Sequence, residues 1–323
     1  MSHKTEIAQA RSAAPSSTAD YFLCGWRMRS VVPLPEALIW TADDRPPDVT
    51  VRFGAMPDLL EPIWTSAPVQ MGRDGACRLE FAGIGRFHVA EGREVIVEPS
   101  GSLDTPEFRA TLLGPILGTL CHQRGLFPLH AACIRIGDGA VAIAGRTGSG
   151  KSTLAAAMVR RGHALVADDL CVIDLTTAEG PRVVPSFPRL KLWDDALAAL
   201  DISADGIPRA SSGKQKYHFF QAGAFDPSPV GLRGIYLLDR SIAPEQQDIV
   251  TDSRAAAAAM LSREIYRRPI GFHLGHKVAL LADALRIAAM IPVFRLPVRS
   301  DLSQLGSIAA RLEAHVTSLR GIS

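Results

Sequence analysis

The sequence predicts an α/β fold, a phosphate-loop nucleotide domain preceded by a small β-rich domain, and three observations carry that expectation. Gly145-Arg146-Thr147-Gly148-Ser149-Gly150-Lys151-Ser152 is a complete phosphate-binding loop of the form GxxxxGKS. The apolar run Val141-Ala142-Ile143-Ala144 enters it as a strand, and Thr153-Leu154-Ala155-Ala156-Ala157-Met158-Val159 leaves it as a helix. Between Tyr21 and about Thr105, short strand-like runs alternate with turn signals.

In chain order, residues 1–20 are rich in Ser, Ala and Thr and lack the apolar core of a signal peptide, so they read as a disordered tail. Residues 21–105 form the β-rich domain. Arg78-Leu79-Glu80-Phe81 is one strand, and Arg86-Phe87-His88-Val89 with Glu94-Val95-Ile96-Val97 flank Glu91-Gly92 as the arms of a hairpin. Residues 106–126 are expected to be a helix connecting two domains. Phe108, Leu112, Leu113, Ile116, Leu117 and Leu120 share one face, Gly114-Pro115 should kink or split it, and Gly125 ends it.

Residues 127–323 are the nucleotide domain. Ala131 to Ile136 and Ala140 to Ala144 are strands joined by Gly137-Asp138-Gly139. His163 to Ala167 is a strand expected to return beside the loop, and Cys171 to Leu175 with Arg182 to Val184 form a further hairpin. Leu192 to Leu200 is expected to be helical and Gly234 to Leu238 a buried strand. Ala255 to Leu261, Val278 to Met290 and Leu302 to Val316 read as helices, with Val293 to Leu296 a late strand.

Composition narrows the function classes. The chain of 323 residues has a formal net charge of +2, which argues against a nucleic-acid binder held by bulk electrostatics. Five cysteines, scattered and without a CxxC pair, read as reduced thiols rather than a disulfide frame or zinc site. The longest apolar stretch, Thr111 to Cys121, is too short to span a membrane, so a cytoplasmic protein is expected.

The chemistry centres on the loop. Its backbone N–H groups, from Gly145 through Thr153, cradle phosphate at a helix N-terminus. Lys151 reaches the β- and γ-phosphates, and the Ser152 hydroxyl ligates Mg²⁺. A strand ending in Asp168-Asp169 follows. Two carboxylates there can divide metal binding from proton acceptance, although the same pair in isolation also suits a turn or an N-cap. His130 precedes the strand before the loop-feeding strand. Arg189, Lys191, Lys214 and Lys216 lie in loop-like sequence and are candidate substrate ligands, with Arg267-Arg268 a second pair. His273-Leu274-Gly275-His276 lacks a carboxylate or cysteine at useful spacing and reads as a mobile loop.

The stretch from His130 through Asp169 resembles the catalytic domain of the HPr kinase/phosphorylase family. The resemblance rests on His130, the Gly145 to Ser152 loop, Arg161-Gly162-His163 and Ala167-Asp168-Asp169. It implies an ATP- and Mg²⁺-dependent kinase that transfers the γ-phosphate to a protein or peptide serine. Asp169 would be the base, Asp168 its metal-side partner, and His130 the residue that orients the pair. The Glu-Ile-Arg-Gly run of bifunctional members is absent. Pro188-Arg189-Leu190-Lys191-Leu192-Trp193 stands there, followed by Lys214-Gln215-Lys216-Tyr217-His218. Together with the β-rich front domain, this is more similar to stand-alone HPr-kinase-like proteins of bacterial biosynthetic clusters, some of which resemble kinases of lasso-peptide precursors. A peptide or small-protein serine acceptor is implied, and homo-oligomerisation stays open. HPr itself as acceptor is an alternative, as is a non-kinase NTPase or nucleotide-gated binding module. ATP and GTP are not distinguished.

Overall fold

The computed structural model describes residues 18–211, 214–220, 222–242, 248–299 and 301–319. The expected tail lies outside these residues up to position 17, whereas Ala19 and Asp20 already belong to a strand. The chain forms two compact units, Met1–Leu126 with Pro269–Lys277, and Phe127–Arg268 with Val278–Ser323.

The first unit is built on a nine-stranded sheet. Its strands are β1 (Ala19–Leu23), β2 (Trp26–Ser30), β3 (Leu38–Ile39), β4 (Val49–Phe53), β5 (Trp64–Ser66), β6 (Val69–Met71), β7 (Cys77–Phe81), β8 (Gly85–Ala90) and β9 (Glu94–Pro99). They lie in the order β3-β1-β2-β4-β9-β8-β7-β6-β5. The β1–β2 turn is tight because Cys24 and Gly25 both adopt positive φ, 53° and 75°, which matches the twist of the strands they join. The expected hairpin of β8 and β9 is present, with Val89 opposite Val95.

A helix follows the sheet. Thr105 caps α1 (Pro106–Thr111) by accepting from Phe108 N, with Pro106 at a position where the missing N–H costs nothing. Pro115 neither splits nor ends the helix. A π-helical stretch, Leu112–Ile116, absorbs it before α2 (Leu117–Gln123) continues. This helix is part of the first unit rather than a connector between units. Phe108 packs on Phe87 at 5.5 Å. Gln123 donates to the carbonyls of Gly75 and Val89, both at 2.9 Å, and accepts from Gly92 N at 3.0 Å.

The Asp20 carboxylate accepts from Arg27 Nη2 at 2.6 Å and Arg29 Nε at 2.8 Å. Its bond with Arg29, and then that with Arg27, hold its pKa down at about 2 against the effect of burial. A depressed carboxylate stabilises the fold above its unfolded value and loses that contribution as pH falls through the folded one. Asp20→Asn should therefore lower urea stability at neutral pH, with the gap to wild type narrowing between 3.8 and about 2. A gap that does not change with pH would refute the charge contribution.

In the second unit β10 (Phe127–Leu129), β11 (Ala131–Ile136) and β12 (Gly139–Ala144) precede α3 (Lys151–Arg160). Then come β13 (Ala164–Ala167), β14 (Cys171–Asp174), β15 (Arg182–Val184), β16 (Arg189–Trp193), α4 (Asp194–Ala199), β17 (Arg209–Ser211), β18 (Lys214–Phe220) and β19 (Val230–Asp239). After β20 (Val250–Thr251) and α5 (Arg254–Arg263), the chain passes through α6 (Arg268–Gly271), whose residues 269–271 fall to the first unit, and returns with α7 (Lys277–Met290) from Val278 on, β21 (Val293–Pro297) and α8 (Leu305–Leu319). The main sheet runs β10-β14-β15-β19-β12-β11-β13, with β21 also paired to β19. Every residue of β12 is buried, which is why it reads as an unbroken run of small and branched apolar residues.

Three expectations change. The strand ending at the acid pair is not adjacent to the loop strand, because β11 lies between β12 and β13 and pairs antiparallel with both. The supposedly loop-like residues Arg189, Lys191, Lys214 and Lys216 sit on strands of a separate three-stranded sheet, β16-β18-β17. The alternation Arg189-Leu190-Lys191-Leu192 is itself the period of two of a half-buried strand, and the helix expected from Leu192 begins only at Asp194. The expected nucleotide domain, residues 127–323, does not form one continuous unit. Residues 269–277 belong to the first unit, where the expected mobile loop is instead a helical turn with Gly275 at φ 86° and His273 stacked on Trp64 at 4.2 Å.

All five cysteines are buried and none forms a disulfide. Among the described residues, no helix is long and apolar enough to cross a membrane.

Candidate functional site

The loop leaves β12 through glycines whose conformations a side chain would strain. Gly145, Gly148 and Gly150 have φ of 139°, 80° and 102°, and a Cβ on Gly145 would come within 3.1 Å of Ser149 Oγ. Gly150 is the N-cap of α3, so the first N–H groups of that helix face the loop interior. Lys151 is buried, and its ammonium donates to the carbonyls of Gly145 at 2.7 Å and Arg146 at 3.2 Å. Burial lowers its pKa, opposed by the charges of Glu264, Asp168 and Asp169. Ser149 Oγ is buried in the loop without a protein partner, as a phosphate ligand's donor would be.

Beyond β13 the two acids divide. Asp168, 2% exposed, accepts the Ser152 hydroxyl on Oδ1 at 2.8 Å and the Lys191 backbone N–H on Oδ2 at 3.0 Å. Burial and the neighbouring Asp169 charge raise its pKa. Asp169 takes a left-handed φ of 71°, which turns its carboxylate the other way. Oδ2 accepts the Lys191 ammonium at 2.7 Å, and Oδ1 lies 3.3 Å from His130 Nε2. Although burial pushes its pKa up, the charges and hydrogen bonds of Lys191 and His130 hold Asp169 well below the usual carboxylate range.

His130 is itself fixed from behind. Its backbone N–H donates to Glu264 O at 2.7 Å, and its ring meets the edge of Tyr266 at 5.7 Å. Burial lifts the Tyr266 phenol to about 12. This backing depends on a short bridge between Leu129 and Ile265, a contact across more than a hundred positions that no local pattern announces.

Of the residues singled out in the sequence, the structure thus brings together His130, Lys151, Ser152, Asp168, Asp169 and Lys191. Arg146 and Thr147 are exposed on the loop, while Thr153 is buried in the first turn of α3. Arg189 is fully buried, its guanidinium 4.8 Å from the Phe187 ring. Lys216 lies 5.5 Å from the Trp193 ring and contributes to the field at Lys151. Lys214 is on β18, but its side chain lies outside the described residues. Sequence reasoning missed Glu264, Tyr266 and Arg240, whose Nη2 donates to Gly148 O at 3.1 Å. The Arg267-Arg268 pair was the only nearby signal for Tyr266.

Among the described residues, no group of three or more His, Cys, Asp and Glu side chains could hold a metal. The Ser152 hydroxyl and Asp168 carboxylate are nevertheless oxygen donors of the kind Mg²⁺ takes when phosphate and water oxygens complete its shell.

The HPr Serine kinase C-terminal domain family matches residues 126–188, a segment holding His130, the loop and both acids. Among solved structures, the Hpr(Ser) kinase/phosphatase from Coxiella burnetii is 14% identical, with a TM-score of 0.36, over 60% of this chain and 93% of that chain. No curated protein matches the chain.

Proposed function

We propose that the second unit is an ATP- and Mg²⁺-dependent kinase that transfers the γ-phosphoryl group to a serine hydroxyl of a peptide or small protein. One observation carries the reading. Asp168 holds the loop serine at 2.8 Å, while the next residue turns its carboxylate onto Lys191 and His130. The two acids therefore serve two different places within one site.

The chain fits the groups this reaction needs. The N–H groups at the start of α3, the Ser149 hydroxyl and Lys151 would hold the phosphates, and Ser152 with Asp168 would hold Mg²⁺. Mg²⁺, when bound, offsets the charge on the phosphate oxygens. Asp169 stays ionised at neutral pH and accepts the serine proton on Oδ1, the oxygen not engaged by the Lys191 ammonium. A weak base suffices where the transition state is loose and the hydroxyl proton leaves late. Lys191 and His130 keep the carboxylate aimed.

Incubating the protein with γ-labelled ATP and candidate acceptors tests the reading directly. Labelled serine on a lasso-type precursor peptide supports the peptide-kinase form. Labelling of HPr instead would favour the regulatory alternative, which the family match over 126–188 keeps in play. ATP hydrolysis without any phosphoserine would sink the kinase reading. Lys191→Met should slow transfer by about tenfold to hundredfold, the worth of one charge-assisted hydrogen bond. Single-turnover rates would show it, and an unchanged rate would remove Lys191 from the machinery.

A further inference from the structure

We infer that Arg240 is a second cationic ligand for the nucleotide's phosphates. This rests on the nucleotide-binding part of the proposed function but not on the identity of the acceptor.

β12 and β19 run parallel, with Ala144 opposite Leu237, so the phosphate loop and residues 239–241 emerge side by side from the same sheet edge. In open α/β sheets, ligands bind in the crevice beyond the carboxyl ends of such strands. The two segments also touch, since a Cβ on Gly145 would meet Leu238 O at 3.3 Å and Leu238 Cβ at 3.4 Å. From this position Arg240 Nη2 donates to Gly148 O at 3.1 Å, which sets the guanidinium on the rim of the loop.

The backbone carrying Arg240 is braced. The Asp239 carboxylate accepts from Ser241 N at 2.8 Å and Ser241 Oγ at 2.6 Å. It also faces Arg295 on β21 at 3.6 Å, and Arg295 Nε is held in turn by both oxygens of Asp252 at 3.1 and 2.9 Å. A chain of charged groups therefore fixes the turn, while the side chain it presents donates, among the described residues, to one loop carbonyl.

Chemistry supplies the ligand class. A guanidinium carries five N–H donors in a planar fork, so one bond to Gly148 leaves donors for phosphate oxygens. The Lys151 ammonium approaches from within the loop, where carbonyls already occupy it. Arg240 adds positive charge from the rim. The class of ligand is a nucleoside polyphosphate.

Calorimetric titration of the full chain with MgATP tests the assignment. Arg240→Ala should weaken binding by about tenfold to hundredfold, Arg240→Lys should recover part of the loss, and the salt dependence of Kd should be shallower in the alanine variant. The melting temperature without nucleotide should stay at the wild-type value in both. Arg240→Ala binding within about twofold of wild type would overturn the inference. So would equal losses in both variants accompanied by lowered melting, which would make Arg240 only a brace for the loop. If the wild-type chain takes no nucleotide, the nucleotide reading falls, and Arg240 loses its role with it.

Discussion

Asp169→Asn is expected to slow phosphoryl transfer by about 10³-fold while changing ATP affinity by no more than about threefold. Asparagine keeps the size and polarity of the side chain but cannot take up a proton as a carboxylate does. It also tolerates the left-handed φ of 71°, so the substitution should leave the backbone in place. The loop, Ser152 and Asp168 keep their contacts, because Asp168 and not Asp169 binds the loop serine. Single-turnover transfer of γ-label, measured beside an independent ATP titration, separates the two effects. Full transfer by this variant would shift the role of base to Asp168.

Lys151→Ala should behave differently, with kcat/KM lowered by about 10³-fold and ATP affinity lowered as well. In the proposed function the ammonium would supply charge at the phosphates, and it ties down two loop carbonyls. Burial disfavours its charged state while its two carbonyl bonds favour the fold, so the nucleotide-free protein with Lys151→Met, where the stem is kept and the charge removed, should melt close to wild type. Loss of melting temperature in that variant would mean that the lysine is chiefly a structural cation. Undiminished ATP affinity in Lys151→Ala would refute its assignment to the phosphates.

The part of the site visible in the sequence is the part made of local pattern. The loop is eight consecutive residues, and its glycines are needed for backbone angles rather than for distant partners. The acid pair ends an apolar strand, so its place at the sheet edge is also local. Lys191 was singled out, but as a loop residue meeting substrate. Its contact with Asp169 depends on β16 being a strand, which the alternation Arg189-Leu190-Lys191-Leu192 signals, and on where the sheet β16-β18-β17 places it, which no local pattern signals. Glu264, Tyr266 and Arg240 were invisible because their relevance comes from pairing across long separations, Leu129 with Ile265 and β12 with β19. The β-rich region was legible from its turn residues, but the order of its strands was not. The parallel pairs β2–β4 and β4–β9 follow from nothing in the neighbouring sequence.

The return of residues 269–277 to the first unit has a practical side for anyone wishing to express the two halves separately. A truncation starting at Phe127 would carry along a short passenger stripped of Trp64, the ring on which its His273 is stacked. The passenger begins three positions after Tyr266, which lies against His130. Cutting the gene once would thus leave a loose end tied to the residues behind His130 in the candidate site. A fragment of the second unit alone calls for a second edit, in which a Gly/Ser linker replaces residues 269–277.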